Sequence, residues 1–157
     1  MAEEPHKTWV LTGSLDNFQA TRERGFRIIG VKQRNRRRAE QMAPGDVVVF
    51  YLTGVKAFGA IARITGEMFE DRTKIWPGKP GNPDIYPWRF ETEPVLVLDE
   101  DEFVPGEELI GHMDHIAKWP VEHWTLAFQG QLRTISDSDF AAVEQRMRGA
   151  SDARVAA

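Results

Sequence analysis

The chain has 157 residues, the length of one domain, and its 41% apolar and 28% charged residues are ordinary for a soluble globular protein. It carries no cysteine, which excludes disulfides, thiolate catalysis and Cys-ligated zinc or iron–sulfur centres. The net charge of −4, from 20 basic and 24 acidic residues, argues against indiscriminate binding of polyanions over the whole surface.

The longest apolar runs, such as Val47 to Leu52, fall far short of the roughly 20 residues that span a bilayer. The acidic start Met1-Ala-Glu-Glu-Pro lacks the apolar core of a secretory signal, so a cytoplasmic protein without a membrane partner is expected. Charge is unevenly spread. Eight basic residues lie between Arg22 and Arg38 with one acid, Glu23, whereas Glu91 to Glu108 holds eight acids and no base. One face is thereby able to attract phosphate while the rest repels it, and a solvated helix face is the alternative reading of the basic run.

In chain order, Thr8 to Gly13 reads as a strand rich in β-formers, and Ser14 as the N-cap of a helix that Gly25 stops. Phe26 to Val31 is a second strand. The run Arg34 to Met42 reads as a basic helix ended by Pro44-Gly45-Asp46. Val47 to Thr53 is a continuous apolar strand, expected to be buried on both faces. After Gly54-Val55-Lys56, Phe58 to Thr65 runs back, with Gly59 marking a bulge or a close backbone approach.

Residues Trp76 to Pro87 contain Pro77, Gly78, Pro80, Gly81, Pro83 and Pro87 and read as a functional loop framed by Trp76, Tyr86 and Trp88. Trp88 to Leu98 is a long strand kinked at Pro94, followed by an acidic loop. His112 to Ala117 and Pro120 to Ala127 read as short helices, Gln131 to Ile135 as a strand. Ser136 with Asp139 opens a last helix that ends near Gly149. The expected organisation is one domain, 1–150, with a frayed tail, 151–157, and no internal repeat. Connections too short for βαβ units favour an α+β fold, a curved mixed sheet flanked by helices.

The ordered set Trp9-Val-Leu-Thr-Gly-Ser, Gly30-Val-Lys-Gln-Arg-Asn, Met42-x-Pro-Gly-Asp-x-Val-x-Phe-Tyr51, Gly59-x-Ile, Trp76 and Pro87-Trp-Arg-Phe90 resembles the EVE domain, a PUA-like barrel related to the YTH domain. The resemblance runs from about Trp9 to the final helix. It implies a PUA-like mixed β-barrel of about six strands with a surface pocket, and a reader of modified bases in DNA or RNA. Where many such sequences have Lys-Ser-Glu-Pro after the first strand, this chain has Thr12-Gly13-Ser14-Leu15. It also has Ile28-Ile29 where many carry a tryptophan. Trp9, Trp76 or Trp88 is then left to supply aromatic walls.

A base reader needs flat walls, groups that read the base edge and a cationic approach for phosphate. Trp76 and Trp88 are the first candidates for walls, with Trp124 open. Trp9 and Trp119 read as packing residues. Thr12 and Ser14 leave the first strand at the rim, Gly30 and Val31 offer close backbone, and Tyr51 and Thr53 end the buried strand; these are the candidates for edge reading. Lys32, Arg34, Asn35 and Arg36 are the candidate phosphate contacts, joined by Arg89, for which a structural ion pair with an acid is equally open.

Enzymatic readings find little support. His112, His115 and His123 lack the His-Glu-x-x-His arrangement, there is no Gly-x-Ser-x-Gly elbow, and Gly78-Lys-Pro-Gly81 is no P-loop. Asp99 and Glu102 lie in an acidic loop, where both are expected to be ionised and solvated. The sequence thus points to a non-catalytic module, with no cofactor or metal, that binds DNA or RNA carrying a modified base. A small molecule such as a nucleoside in the same pocket is the alternative, and a protein adaptor using the acidic stretch is a third.

Overall fold

The computed structural model describes residues 6–77 and 85–156, with side chains to 153, so the expected Pro/Gly loop at 78–84 and the N-terminal residues 1–5 lie outside the described residues. The strands are β1 (Thr8–Gly13), β2 (Ile28–Val31), β3 (Val47–Leu52), β4 (Ala57–Ile64), β5 (Phe69–Glu70), β6 (Trp88–Val97), β7 (Val104–Pro105) and β8 (Leu132–Ile135). The helices are α1 (Leu15–Glu23), α2 (Arg36–Ala39), α3 (Asp114–Ala117) and α4 (Asp137–Ala156), with 3-10 turns between them.

The order β2-β6-β4-β3-β1-β8 makes a half-barrel of six strands, with short β5 and β7 pairing with β6 and β4. β1 and β3 pair in parallel, Thr8 opposite Val47 through Gly13 opposite Leu52, and the other pairings are antiparallel. β3 is central and buried on both faces, as its unbroken apolar run demands. Val48, Phe50 and Leu52 face the barrel interior with Trp9, Leu11, Phe18 and Phe90. Val49 and Tyr51 face a second core under the helical layer, with Val10, Phe128, Val143 and Met147.

Two irregularities follow from single residues. Gly59 is passed over where Phe50 pairs with Ala60 and Tyr51 with Phe58, and a Cβ there would stand 2.9 Å from Leu52 and 3.0 Å from Phe18. Glycine permits both the bulge and the close approach. Near Pro94, which cannot donate to a ladder, the β4–β6 register shifts between Ile61 and Ala62.

The two ends of the path, β2 and β8, are joined by one side chain rather than by a ladder. Buried Gln131 donates from Nε2 to Gly30 O at 3.2 Å and accepts on Oε1 from Lys32 N at 2.8 Å and Asn35 Nδ2 at 3.2 Å. A planar amide with donors and an acceptor thus replaces the hydrogen bonds that a closed barrel would make between these edges.

Several expectations need correction. The basic run forms a 3-10 turn (Gln33–Asn35) and the short α2 rather than a helix to Met42. Arg34 and Arg38, four apart with like charge, weaken a longer helix. The last helix continues through Gly149 to Ala156, helped by Ala150 and Ala153. Ser136 Oγ accepts from Asp139 N at 3.1 Å, but the Asp139 carboxylate turns away to accept from the backbone N–H groups of Asp114 (2.8 Å) and His115 (3.0 Å), capping α3. Trp119 is exposed rather than packed. Asp99 and Glu102 form a capping box, in which Asp99 is exposed as expected and Glu102 is half-buried.

Candidate functional site

A cleft opens at the C-terminal end of β1, where β1, α1, β2 and β3 converge. Its inner recess is lined by Phe18 and Thr21 of α1, Ile29 and Gly30 of β2, Phe50 of β3, and Trp76, Tyr86 and Gln131. It leaves only about 40 Å³ open to the centre of a water molecule. Thr12, Gly13, Ser14, Asn17, Tyr51, Tyr86 and Gln131 line both this recess and a wider mouth of about 430 Å³. Lys32, Arg34, Thr53, Lys56, Thr125, Phe128, Gln129 and Gly130 complete the mouth, so among the described residues its lining holds three cations and no carboxylate.

The recess is built to hold its shape. Trp76 stands edge-on to Tyr86, with ring centroids 5.7 Å apart at 67°. Its indole Nε1 donates to Thr21 Oγ1 at 2.9 Å, and Thr21 donates in turn to Asn17 O at 3.1 Å. Gly30 lets the indole lie against β2: a Cβ would stand 2.5 Å from Trp76 Cζ3 and 2.8 Å from Tyr86 Cβ. Asn17 Nδ2 donates to the Tyr86 hydroxyl at 2.9 Å, tying α1 to the segment after the loop.

Arg89 fastens this wall from behind. Its side chain is fully buried, with the guanidinium carbon 5.2 Å from the centroid of Trp76. It donates to the carbonyls of Tyr86 (3.1 Å), Ile85 (3.3 Å) and Thr73, and faces Asp71 at 3.4 Å. Burial pulls its pKa below the usual arginine range, which Asp71 opposes. The Asp71 carboxyl is held low first by hydrogen bonds from Thr73 and then by Arg89. Arg89 joins the segments on either side of the loop and is enclosed, which leaves it no contact with an external phosphate.

Tyr51 sits where recess and mouth meet. Its ring stacks on Phe128 at 4.2 Å and 15°, while its buried hydroxyl has no hydrogen-bond partner. Burial pushes the phenol pKa up, so the group stays protonated and is a donor in waiting. Orphaned hydroxyls of this kind are uncommon, because leaving one unmade costs about 1–3 kcal/mol.

The candidate residues thus separate. Thr12, Ser14, Gly30, Tyr51, Thr53, Trp76, Lys32 and Arg34 line the cleft. Ser14 also accepts from Asn17 N at 3.1 Å as N-cap, and Thr12 Oγ1 donates to Gly130 O. The others are placed elsewhere. Val31 alternates with Gly30 into the barrel core. Trp88 belongs to the same core, donating to Gln33 Oε1 at 2.8 Å, and Arg36 lies 4.4 Å over its ring and 3.2 Å from Glu40. Trp124 fills the space over Gly106, against Phe128. Asn35 is occupied by Gln131. Sequence reasoning missed Asn17, Tyr86, Lys56 and Gln131 as lining residues. Asn17, three residues past the N-cap, and Tyr86, framing the loop, were the two with a local signal.

Residues 7–146 match the EVE domain family. Among proteins similar in sequence is a UPF0310 protein of Pyrococcus horikoshii, 22% identical over 147 residues, covering 87% of this chain and 96% of that protein. Among solved structures, the YTH domain of the Zygosaccharomyces rouxii MRB1 protein, in complex with N6-methyladenosine RNA, superposes with a TM-score of 0.66 at 15% identity, covering 94% of this chain and 90% of that one. The Pho92 YTH domain in complex with m6A gives 0.63 at 15% identity, covering 91% and 84%. At this identity the likeness to the YTH domains is one of fold. The family match spans most of the chain, from the first strand into the last helix: this protein belongs to the EVE domain family.

Proposed function

We propose that the protein is a non-catalytic binding module that takes one modified nucleobase of DNA or RNA into the recess, with Lys32, Arg34 and Lys56 of the mouth meeting the adjoining phosphates. The observation that carries this reading is the direct passage from an aromatic recess into a mouth lined by three cations, Lys32, Arg34 and Lys56, and by no acid among the described residues. A base stacks on Trp76 or Tyr86, the Tyr51 hydroxyl donates to an acceptor on its edge, and phosphate neutralises the rim. The YTH domains of like fold, solved with N6-methyladenosine RNA and with m6A, support the choice of a modified base. Among the described residues the lining contains no imidazole, thiol or carboxylate to act as a general base, and Tyr51 is held protonated, which supports a role in binding rather than turnover.

Tryptophan-fluorescence titration tests this with single-stranded RNA and DNA carrying N6-methyladenine, their unmodified twins and the free nucleosides, at two salt concentrations. The expected result is tighter, salt-sensitive binding of a modified strand. Binding of a free nucleoside alone, indifferent to salt, overturns the strand reading in favour of a small-molecule site, and silence across the set overturns both.

A further inference from the structure

A second cleft of about 310 Å³ lies along the outer edge of β8, between the basic segment and α3. Its polar lining is Arg38, Gln41, His115, Lys118, Arg133 and Thr134, with no carboxylate. Arg38 Nη1 donates to Leu132 O at 2.7 Å, and Arg133 Nε donates to Gln129 O at 3.0 Å. Both guanidinium groups keep further donors beyond these single bonds. Neither Arg38, Arg133 nor Lys118 has an ion-pair partner among the described residues. Three cations converging without an acid repel one another until an anion joins them.

The two clefts share no lining residue, but the same two stretches of chain contribute to both. Gln129, Gly130 and Gln131 line the mouth, and Arg133, two residues on from Gln131, lines the second cleft while holding the Gln129 carbonyl. On the facing segment Arg34 lines the mouth and Arg38, four residues on, lines the second cleft. Segments 34–38 and 129–133 therefore each carry residues of both clefts.

We propose that Arg38, Lys118 and Arg133 form a phosphate subsite for the backbone of the same nucleic-acid strand whose base enters the recess. The inference rests on the proposed reading of the first cleft and adds a direction to it: the strand leaves the mouth along β8 toward α3. Three donors with differently directed N–H groups suit the oxygens of a phosphodiester.

The test measures anisotropy of short labelled single-stranded RNA, with one N6-methyladenosine or none, between about 50 and 200 mM salt. The full-length chain is compared with a Lys118→Gln/Arg133→Gln double variant. Losing one phosphate contact is expected to lower the salt slope by about 0.7 and weaken strand binding roughly fivefold at about 0.1 M salt. Binding of the N6-methyladenosine nucleoside stays unchanged. Arg63→Gln, which removes an exposed charge three strands away, leaves the slope as it is. A wild-type slope in the double variant overturns the subsite. So does a nitrogen-15 resonance of Arg133 Nε that moves with inorganic phosphate and not with RNA, since the cleft then serves a free anion. If modified and unmodified strands bind alike and the slope still drops, the subsite stands and the base reading falls. Should the double variant melt early, Lys118→Glu alone repeats the measurement at an exposed position.

Discussion

The recess and the mouth of the cleft share a wall but are built on opposite terms. The recess is buried and its main parts are locked: Trp76 by Thr21 and Arg89, Tyr86 by Asn17, Gly30 by its place in β2. The mouth adds exposed side chains outside the strands, Arg34, Thr53, Lys56 and Gln129. A rigid apolar slot discriminates by shape, because any mismatch meets atoms that cannot yield. An exposed cationic rim attracts by charge and tolerates any sequence. On the proposed reading selectivity and affinity therefore fall to different residues, and variants at each should separate them.

The largest effect is expected from Trp76→Ala, which removes a stacking surface of about 1–3 kcal/mol per base. Titration with modified and unmodified strands should show selectivity lost while salt dependence persists; unchanged selectivity would remove Trp76 from the site. Gly30→Ala is next, since its Cβ would stand 2.5 Å from Trp76, whose indole is held in place. Overpacking of about 1–3 kcal/mol should appear in chemical denaturation, with base binding weakened, and an unaltered midpoint would mean that the wall yields.

Tyr51→Phe sharpens the comparison by sign. Its hydroxyl has no partner in the folded protein, so thermal melting should show stability kept or raised, while base affinity falls by about 0.5–1.5 kcal/mol. A loss of stability would mean that the hydroxyl is satisfied within the protein. Arg34→Gln should act at the mouth alone, weakening all strands alike and lowering the salt slope by about 0.7.

The smallest expected effect lies outside both regions. Burial, opposed by the bond to Ala127 O and reinforced by Lys118 and Arg133, lowers the His115 pKa from 6.5. The unfolded chain then takes up a proton first, so stability is complete above about 6.5 and declines as pH falls toward the lowered value. Denaturation at a series of pH values should show this slope, and His115→Gln should flatten it.

Local signals in the sequence found β1, the Ser14 cap, doubly buried β3 and the glycine bulge at 59, because each depends on neighbours in the chain. They also picked out Trp76, Tyr51, Lys32 and Arg34, which the structure places in the lining of one cleft. Trp88 was a candidate because it frames the loop, and Val31 for its backbone beside Gly30, but neighbours in the chain do not say which way a side chain faces. Trp88 pairs across from Val31 and both turn into the barrel. Arg89 stood between a phosphate contact and a structural ion pair, and its burial against Asp71 decides for the pair.

What the amino-acid sequence determined by itself is the order of strands, turns and caps, which are set within a few residues by backbone geometry and apolar pattern. It also determined the separation of basic from acidic stretches. Only the tertiary structure decided which aromatic rings face one another across the cleft and that Gln131, some hundred residues from Gly30, closes the barrel. It alone brought Arg38, Lys118 and Arg133 to one edge without an acid. Those juxtapositions come from strands paired across long stretches of chain, and no local preference encodes what a distant segment will bring alongside.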